Sequence, residues 1–362
     1  MREATQSDRE AAVLDRIEAF RRRRPTLKDD VVTLAHGAGG KASAALVGDV
    51  FVSAFSADPR PLPDAATLSL ASGERLAFST DSFVVKPLRF PGGSIGHLAV
   101  HGTVNDLAMQ GAVPMWLSAA FVIEEGFSVS ELRAVAADMA EAAEAAGVSI
   151  VTGDTKVVGR GAADGLFITT AGVGVIPPGR ELGPDRVRPG DVVLVSGTIA
   201  DHGMAVMLAR GDLALEADIR SDTAPLGGLT AELLAAAPAT RWLRDPTRGG
   251  VGTVCNELAH DSGLGVALDE NALPLNPAVI GACDLLGIDP LYVANEGKLI
   301  AVVAADEADA ALEAMRAHLL GASAARIGEI VADPARIVVL RTTFGGTRIV
   351  DMLVGDPLPR IC

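Results

Sequence analysis

Three aspartates stand where a carboxylate needs a reason to be. Asp81 interrupts the apolar run Arg-Leu-Ala-Phe-Ser-Thr-Asp-Ser-Phe-Val-Val that ends at Val85, and an unpaired carboxylate in a buried strand is costly. Asp106 follows Asn105 in the body of a helical pattern, close to Thr103. Such residues are disfavoured there unless something binds them. Asp154 lies in Thr152-Gly-Asp-Thr-Lys156. Hard oxygen ligands of this kind suit Mg²⁺, which keeps some of its waters and bridges to nucleotide phosphates. Asp81, Asp106 and Asp154 are therefore metal-ligand candidates, with Lys156 placed to neutralise a phosphate.

A glycine-rich loop, Leu34-Ala-His-Gly-Ala-Gly-Gly-Lys41, can bring backbone N–H groups close to a phosphate. It matches neither GxxxxGK[ST] nor GxGxxG, so plain turn chemistry stays open for it. Gly37, Gly39, Gly40 and Lys41 of this loop, with Thr80, Thr103, Asn105 and Gly153, form the candidate nucleotide set. His36 is the histidine to watch, because the others form no HExxH or similar metal pair. At the other end the chain finishes Asp356-Pro-Leu-Pro-Arg-Ile-Cys362. Two prolines favour an extended arm over a helix or an inner strand. The arm is either a frayed terminus or a carrier that brings a thiol to a site elsewhere.

The elements that must position these groups alternate along the chain. After the glycine loop come a short helix through Val50, a strand over 74–85 and a helix over Ile95–Gly111. A strand over Trp116–Ile123 follows, then an Ala-rich helix opened by the capping-box pattern Ser128-Val-Ser-Glu131 and ending before Gly147. Strands at 148–158 and 166–176 close the first domain. A linker rich in Pro, Gly and charge runs from Pro177 to Pro189. The second half repeats the alternation, with a buried strand at 191–197, helices at 201–209, through His260, after Asn276 and from Glu307, and strands at 264–268 and 299–303 and near Ile327, Ile337 and Thr347. The fold class is α/β, with α+β character, in two domains. The expected division is an N-terminal extension over 1–30 carrying a helical stripe, a nucleotide-binding domain over 31–178, a C-terminal α/β domain over 190–348 and a mobile tail over 349–362.

Composition sets the wider limits. The chain has 362 residues and a net charge of −15. That argues against non-specific nucleic-acid or anionic-membrane binding and for a soluble protein. The three cysteines, Cys255, Cys283 and Cys362, have no CxxC spacing, so neither a disulfide scaffold nor a cysteine zinc site is suggested, and a reducing cytoplasm fits.

The segments AHGAGGK, FSTDSFVV, GTVNDLAMQGA and VTGDTKVV occur in an order that resembles the ATP-binding superfamily of aminoimidazole ribonucleotide synthetase and selenophosphate synthetase. LRDPTRGGV, ANEGKL and the terminal PLPRIC resemble, within it, the HypE family, the carbamoyl dehydratases of [NiFe]-hydrogenase maturation. The likeness runs from about Leu34 to Cys362, and His101 stands where a smaller residue would be unsurprising. The resemblance implies that a carbamoyltransferase, HypF, loads Cys362. ATP and Mg²⁺ then convert the thiocarboxamide to a thiocyanate, and the cyano group passes to iron on a HypC–HypD complex. It also implies a homodimer through the N-terminal domains, with the site near that interface. Glu296, in Ala294-Asn-Glu-Gly-Lys298, is the candidate base, unless it merely pairs with Lys298. The competing readings are another ATP-dependent phosphotransferase of the superfamily and a non-catalytic ATP-binding adaptor. No reactive cysteine stands near the glycine loop, as selenophosphate synthesis would want.

Overall fold

Two apolar strands show how the chain is layered. Val192–Val195 (β8) and Ile300–Val303 (β11) are buried along their whole length. Alternate residues serve opposite faces: Val193, Val195, Ile300 and Val302 join one core, and Val192, Leu194, Ala301 and Val303 join another. Strands covered on both sides read as continuous apolar runs rather than as alternation. In the computed structural model, residues 27–55, 62–211, 217–333 and 336–353 are described. The arginine-rich N-terminal helix expected from the sequence, and Cys362 itself, lie outside them.

The first sheet is built from Ala66–Ser69 (β1), Arg75–Phe83 (β2), Val113–Glu124 (β5), Ser149–Val158 (β6) and Leu166–Ile176 (β7), in the order β1-β2-β7-β5-β6. Only β5 and β6 run parallel. A two-strand hairpin, Arg89–Phe90 (β3) and Gly93–Ser94 (β4), follows β2. Lys41–Leu46 is α1, Ile95–Met109 is α2 and Val129–Ala146 is α3. From α2, Ile95, Leu98 and Val104 pack with Phe83, Leu117 and Ile168 of the sheet and with Val135 and Met139 of α3. The opposite face of the sheet leaves Phe78 and Trp116 exposed, in register on either side of Val173. The edge strand β6 is exposed along nearly its full length. Helix α3 begins where the capping box suggests, but Ser128 makes no side-chain cap bond; its hydroxyl pairs with that of Ser130 at 2.7 Å.

The second sheet adds Trp242–Arg244 (β9), Gly265–Asp269 (β10), Ala325–Val331 (β12), Val338–Arg341 (β13) and Thr347–Val350 (β14), in the order β14-β13-β10-β12-β8-β11-β9. Its helices are Asp201–Ala209 (α4), Gly227–Ala236 (α5), Gly250–Ser262 (α6), Pro277–Leu286 (α7) and Ala308–Ala317 (α8). Helix α6 covers one face through Val251, Val254 and Leu258, while α5 and α8 cover the other through Leu229, Leu233 and Met315. The halves share a core: Met204 of α4 and Val279 of α7 join the cluster built on α2.

Candidate active site

Asp64 lies just ahead of β1, Asp106 projects from α2 and Asp245 follows β9. One carboxylate oxygen from each lies within 4.8 Å of the others. Arg244 ties the group across the two halves, with Nε 2.7 Å from Asp64 and a terminal nitrogen 3.1 Å from Glu257. Ser79 donates to Asp106 Oδ2 at 2.5 Å. Burial pushes the Asp64 carboxyl well above its usual range, and Arg244 only partly opposes this. Burial, Asp245 and Asp64 do the same to Asp106. Burial carries Asp245 up to about 6 against the pull of Arg244. Asp64 Oδ2 is buried with no hydrogen-bond partner among the described residues. Crowded, desolvated carboxylates with an orphan oxygen are what a hard divalent cation relieves, so these residues fit Mg²⁺.

The sign of the resulting pH effect follows from the upward shifts. A carboxyl whose pKa is raised in the fold stabilises the fold while protonated. That contribution is lost as pH climbs from the ordinary Asp value, 3.8, through about 6 for Asp245. Metal-free protein is therefore expected to lose stability across this window, and Mg²⁺ to restore it. The gain in melting temperature on adding Mg²⁺ should be larger near pH 7.5 than near pH 5. Equal gains, or none, would remove the cluster as the cation site.

Asp81, on β2, acts electrostatically on Asp106, Asp245 and Glu296. Burial raises its own carboxyl, and Arg248 opposes the rise. Glu296 is buried in the segment before β11. Its N–H donates to Asp222 Oδ1 at 3.0 Å, and its carbonyl accepts from Asn105 Nδ2 at 3.2 Å. Burial, then Asp245, Asp81 and Asp222, push its carboxyl well above the usual range; Arg248 again opposes. A base that works near neutral pH needs a shift in that direction.

The glycine loop packs against Arg248 and against the root of the tail. Arg248 donates to the Gly37 carbonyl at 3.0 Å, and Gly39, at φ +82°, would bring a Cβ within 2.9 Å of Arg248. A Cβ on Gly40 would meet the Leu353 carbonyl at 2.5 Å, the same oxygen that accepts from Lys41 N–H at 3.1 Å. Lys41 Nζ reaches Asp351 at 2.8 Å. His36 is a strut of the loop: it is buried, with Nδ1 accepting from Thr33 N–H at 3.0 Å.

The other residues singled out from the sequence lie as follows. Thr103 is fully buried, 2.6 Å from the Thr170 hydroxyl, and Thr80 donates to the Thr170 carbonyl at 3.0 Å. Asn105 holds the Ala224 carbonyl and the Leu226 N–H in addition to Glu296. Gly153, Asp154 and Lys156 sit on β6. Asp154 and Lys156 pair at 2.6 Å with side chains 62% and 68% exposed. Within one chain, the register Asp81–Thr170–Ala119–Gly153 puts this stretch three strands from Asp81, about 14 Å at ordinary strand spacing. Asp64, Asp222, Asp245 and Arg248 went unassigned from sequence. Asp245 and Arg248 carried a signal, two charges in the glycine turn Arg244-Asp-Pro-Thr-Arg-Gly-Gly250, whereas Asp64 and Asp222 carried none.

Comparison with known proteins finds two family models. Residues 63–176 match the AIR synthase related protein N-terminal domain, and residues 188–341 the C-terminal domain. The carbamoyl dehydratase HypE of Rhodobacter capsulatus is 59% identical over 340 residues, 93% of this chain and 99% of that protein. A crystal structure of a HypE–HypF complex aligns at TM-score 0.81 and 49% identity, covering 85% of this chain and 100% of the other. A crystal structure of HypE in complex with ATP aligns at TM-score 0.77 and 46% identity, covering 92% and 100%.

Proposed function

The chain belongs to the HypE family of AIR synthase related proteins, and on that premise we propose that it is an ATP-dependent carbamoyl dehydratase acting on its own C-terminal cysteine. The observation that carries this reading is the seat of the tail root. Leu353 rests on Gly40 and Lys41, and the same loop rests on Arg248, which acts on both Asp81 and Glu296. Cys362 lies nine residues beyond Leu353. At 3.3–3.6 Å per extended residue that is a reach of about 30 Å, enough to present the thiol either to the site or to a partner.

The reaction balances as a dehydration. The S-carbamoyl oxygen takes the γ-phosphoryl group of ATP, ADP leaves, and the oxygen then departs as phosphate while both N–H protons are lost. Sulfur keeps a C≡N group. Glu296 is the base for those protons, and its raised carboxyl suits the task. Asp106, with Asp64 and Asp245, would hold Mg²⁺, and Asp81 stands beside them; the bound ion would offset the charge of the phosphates. The glycine loop would seat them, and Arg248 adds a cation at the same place.

HypF is the proposed carbamoyl donor, a HypC–HypD complex the proposed cyanide acceptor, the iron of [NiFe]-hydrogenase the destination, and the cytoplasm the compartment. A homodimer is part of the proposal. Pairing through the first sheet would cover Phe78, Trp116 and β6, and would let Asp154 and Lys156 serve the site of the neighbouring copy; light scattering at half the proposed mass would remove it. The reading itself is tested by ATP turnover. ADP should appear only when HypF and carbamoyl phosphate are also present, in proportion to the Cys362 loaded. Turnover indifferent to carbamoylation would favour a phosphotransferase, and binding without turnover an adaptor.

A further inference from the structure

Lys298, two residues after Glu296, offers the most obvious way to neutralise it, yet the fold sends that cation elsewhere. Lys298 Nζ lies 3.2 Å from Asp222 Oδ2, in a pair whose side chains are only 11% and 4% exposed. The other oxygen of Asp222 accepts the Glu296 N–H. Asp222 belongs to an irregular strap between α4 and α5 that lies along both halves of the chain. Ser221 N–H donates to the Pro91 carbonyl at 2.7 Å, Thr223 pairs with His101 Nδ1 at 3.0 Å, and Asn105 holds the Ala224 carbonyl at 3.0 Å. The strap touches the Glu296 segment so closely that a Cβ on Gly297 would fall 1.8 Å from the Asp222 carbonyl. The stem of Lys298 lies on Gly197, where a Cβ would meet its Cε at 2.9 Å. Asp201 is the other carboxylate within the field of Lys298, and it is occupied by the Thr198 hydroxyl.

We infer that Asp222 is a positioning residue for Glu296: it fixes the backbone beneath the base and holds Lys298 away from the carboxylate that must accept protons. The inference rests on Glu296 serving as the base. A lysine on a flexible four-carbon stem moves to the best carboxylate available. With Asp222 neutral, the carboxylates left to it are Asp201, already bonded to the Thr198 hydroxyl, and Glu296, two residues away in the chain, and an ion-paired Glu296 is a weaker base.

The test compares Asp222→Asn, Lys298→Met and the double variant with wild type in the complete system of HypF, carbamoyl phosphate and Mg-ATP. Asp222→Asn keeps an acceptor for the Glu296 N–H but releases Lys298. Its kcat for thiocyanate formation should fall on the order of tenfold or more, part of what a positioned base supplies, with KM for ATP unchanged. Removing Lys298 as well should recover much of the loss, so that the double variant outperforms Asp222→Asn. Loss of the buried pair alone would lower the melting temperature of Asp222→Asn, with Lys298→Met restoring it and kcat of the folded protein unchanged throughout; that result, losses that multiply, or a KM that rises as kcat falls would overturn the inference. If Asp222→Asn fails to fold, the double variant decides the matter, since it buries no unpaired charge: near wild-type kcat supports the inference, and a loss matching that of Glu296→Gln overturns it. Activity retained in Glu296→Gln would instead remove the base assignment, whatever Asp222 does.

Discussion

Replacing Glu296 by Gln is expected to slow thiocyanate formation about 10²- to 10⁴-fold, the range for loss of a positioned general base, while Mg-ATP binds as before. The substitution keeps size and hydrogen-bonding shape and removes only the capacity to take a proton. Its backbone ties run to Asp222 and Asn105, and neither involves the carboxyl group. The loss therefore belongs in the chemical step, with kcat falling and KM for ATP steady. Fold stability should not suffer. A buried carboxyl raised by desolvation and by Asp245, Asp81 and Asp222 is a liability to the folded state at neutral pH, so the Gln variant should melt no lower than wild type. Single-turnover quench of carbamoylated protein measures the rate, and an unchanged rate would take Glu296 out of the role.

The second large effect concerns the thiol. Cys362→Ser is expected to abolish thiocyanate formation altogether and to leave Mg-ATP affinity unchanged. Neither remaining cysteine can stand in. Cys255 and Cys283 are both buried. Burial pushes the Cys255 thiol up to about 12 and the Cys283 thiol to about 11, with Asp284 and Asp289 adding to the latter. Neither supplies thiolate near neutral pH, and thiolate is the reactive form. Serine at position 362 keeps the arm and loses the nucleophile. Binding isotherms for ATP beside mass measurement of carbamoyl transfer separate the two roles. Thiocyanate formed without Cys362 would refute the self-acting scheme.

The fold was legible where periodicity was strong. Two α/β units read from alternating strands and helices, because β8 and β11 are apolar along their length and α3 has a clean start and stop. Other elements went unread. Ala66–Ser69, the hairpin strands Arg89–Phe90 and Gly93–Ser94, and Trp242–Arg244 are too short for a period to register, and Gly227–Ala236 lies in a run rich in leucine and alanine whose helical face is set by its neighbours. In the site, Asp81 and Asp106 drew notice as carboxylates inside a strand and a helix, and Glu296 through the likeness of its segment to the HypE family; all three lie within one another's electrostatic reach or share a neighbour there. Asp154 drew notice in the same way as Asp81, but the sheet order sets it three strands from Asp81 in its own chain. Asp64 and Asp222 were silent because each stands in irregular chain, where nothing local marks a carboxylate as buried. Their burial comes from distant partners, Arg244 for one and Lys298 for the other. Asn105 shows the converse. It looked like a ligand residue because it interrupts a helix, and its amide is engaged by backbone groups of the second half.

The most direct measurement is the intact mass of the protein after loading by HypF and carbamoyl phosphate, taken before and after Mg-ATP, with the modification mapped to the terminal peptide. The expected result is a carbamoyl adduct on Cys362 that gives way, on adding Mg-ATP, to a species lighter by one water, with one ADP and one phosphate released per chain converted. A carbamoyl adduct that persists while ATP is consumed, or loss of water at any residue other than Cys362, would contradict the account.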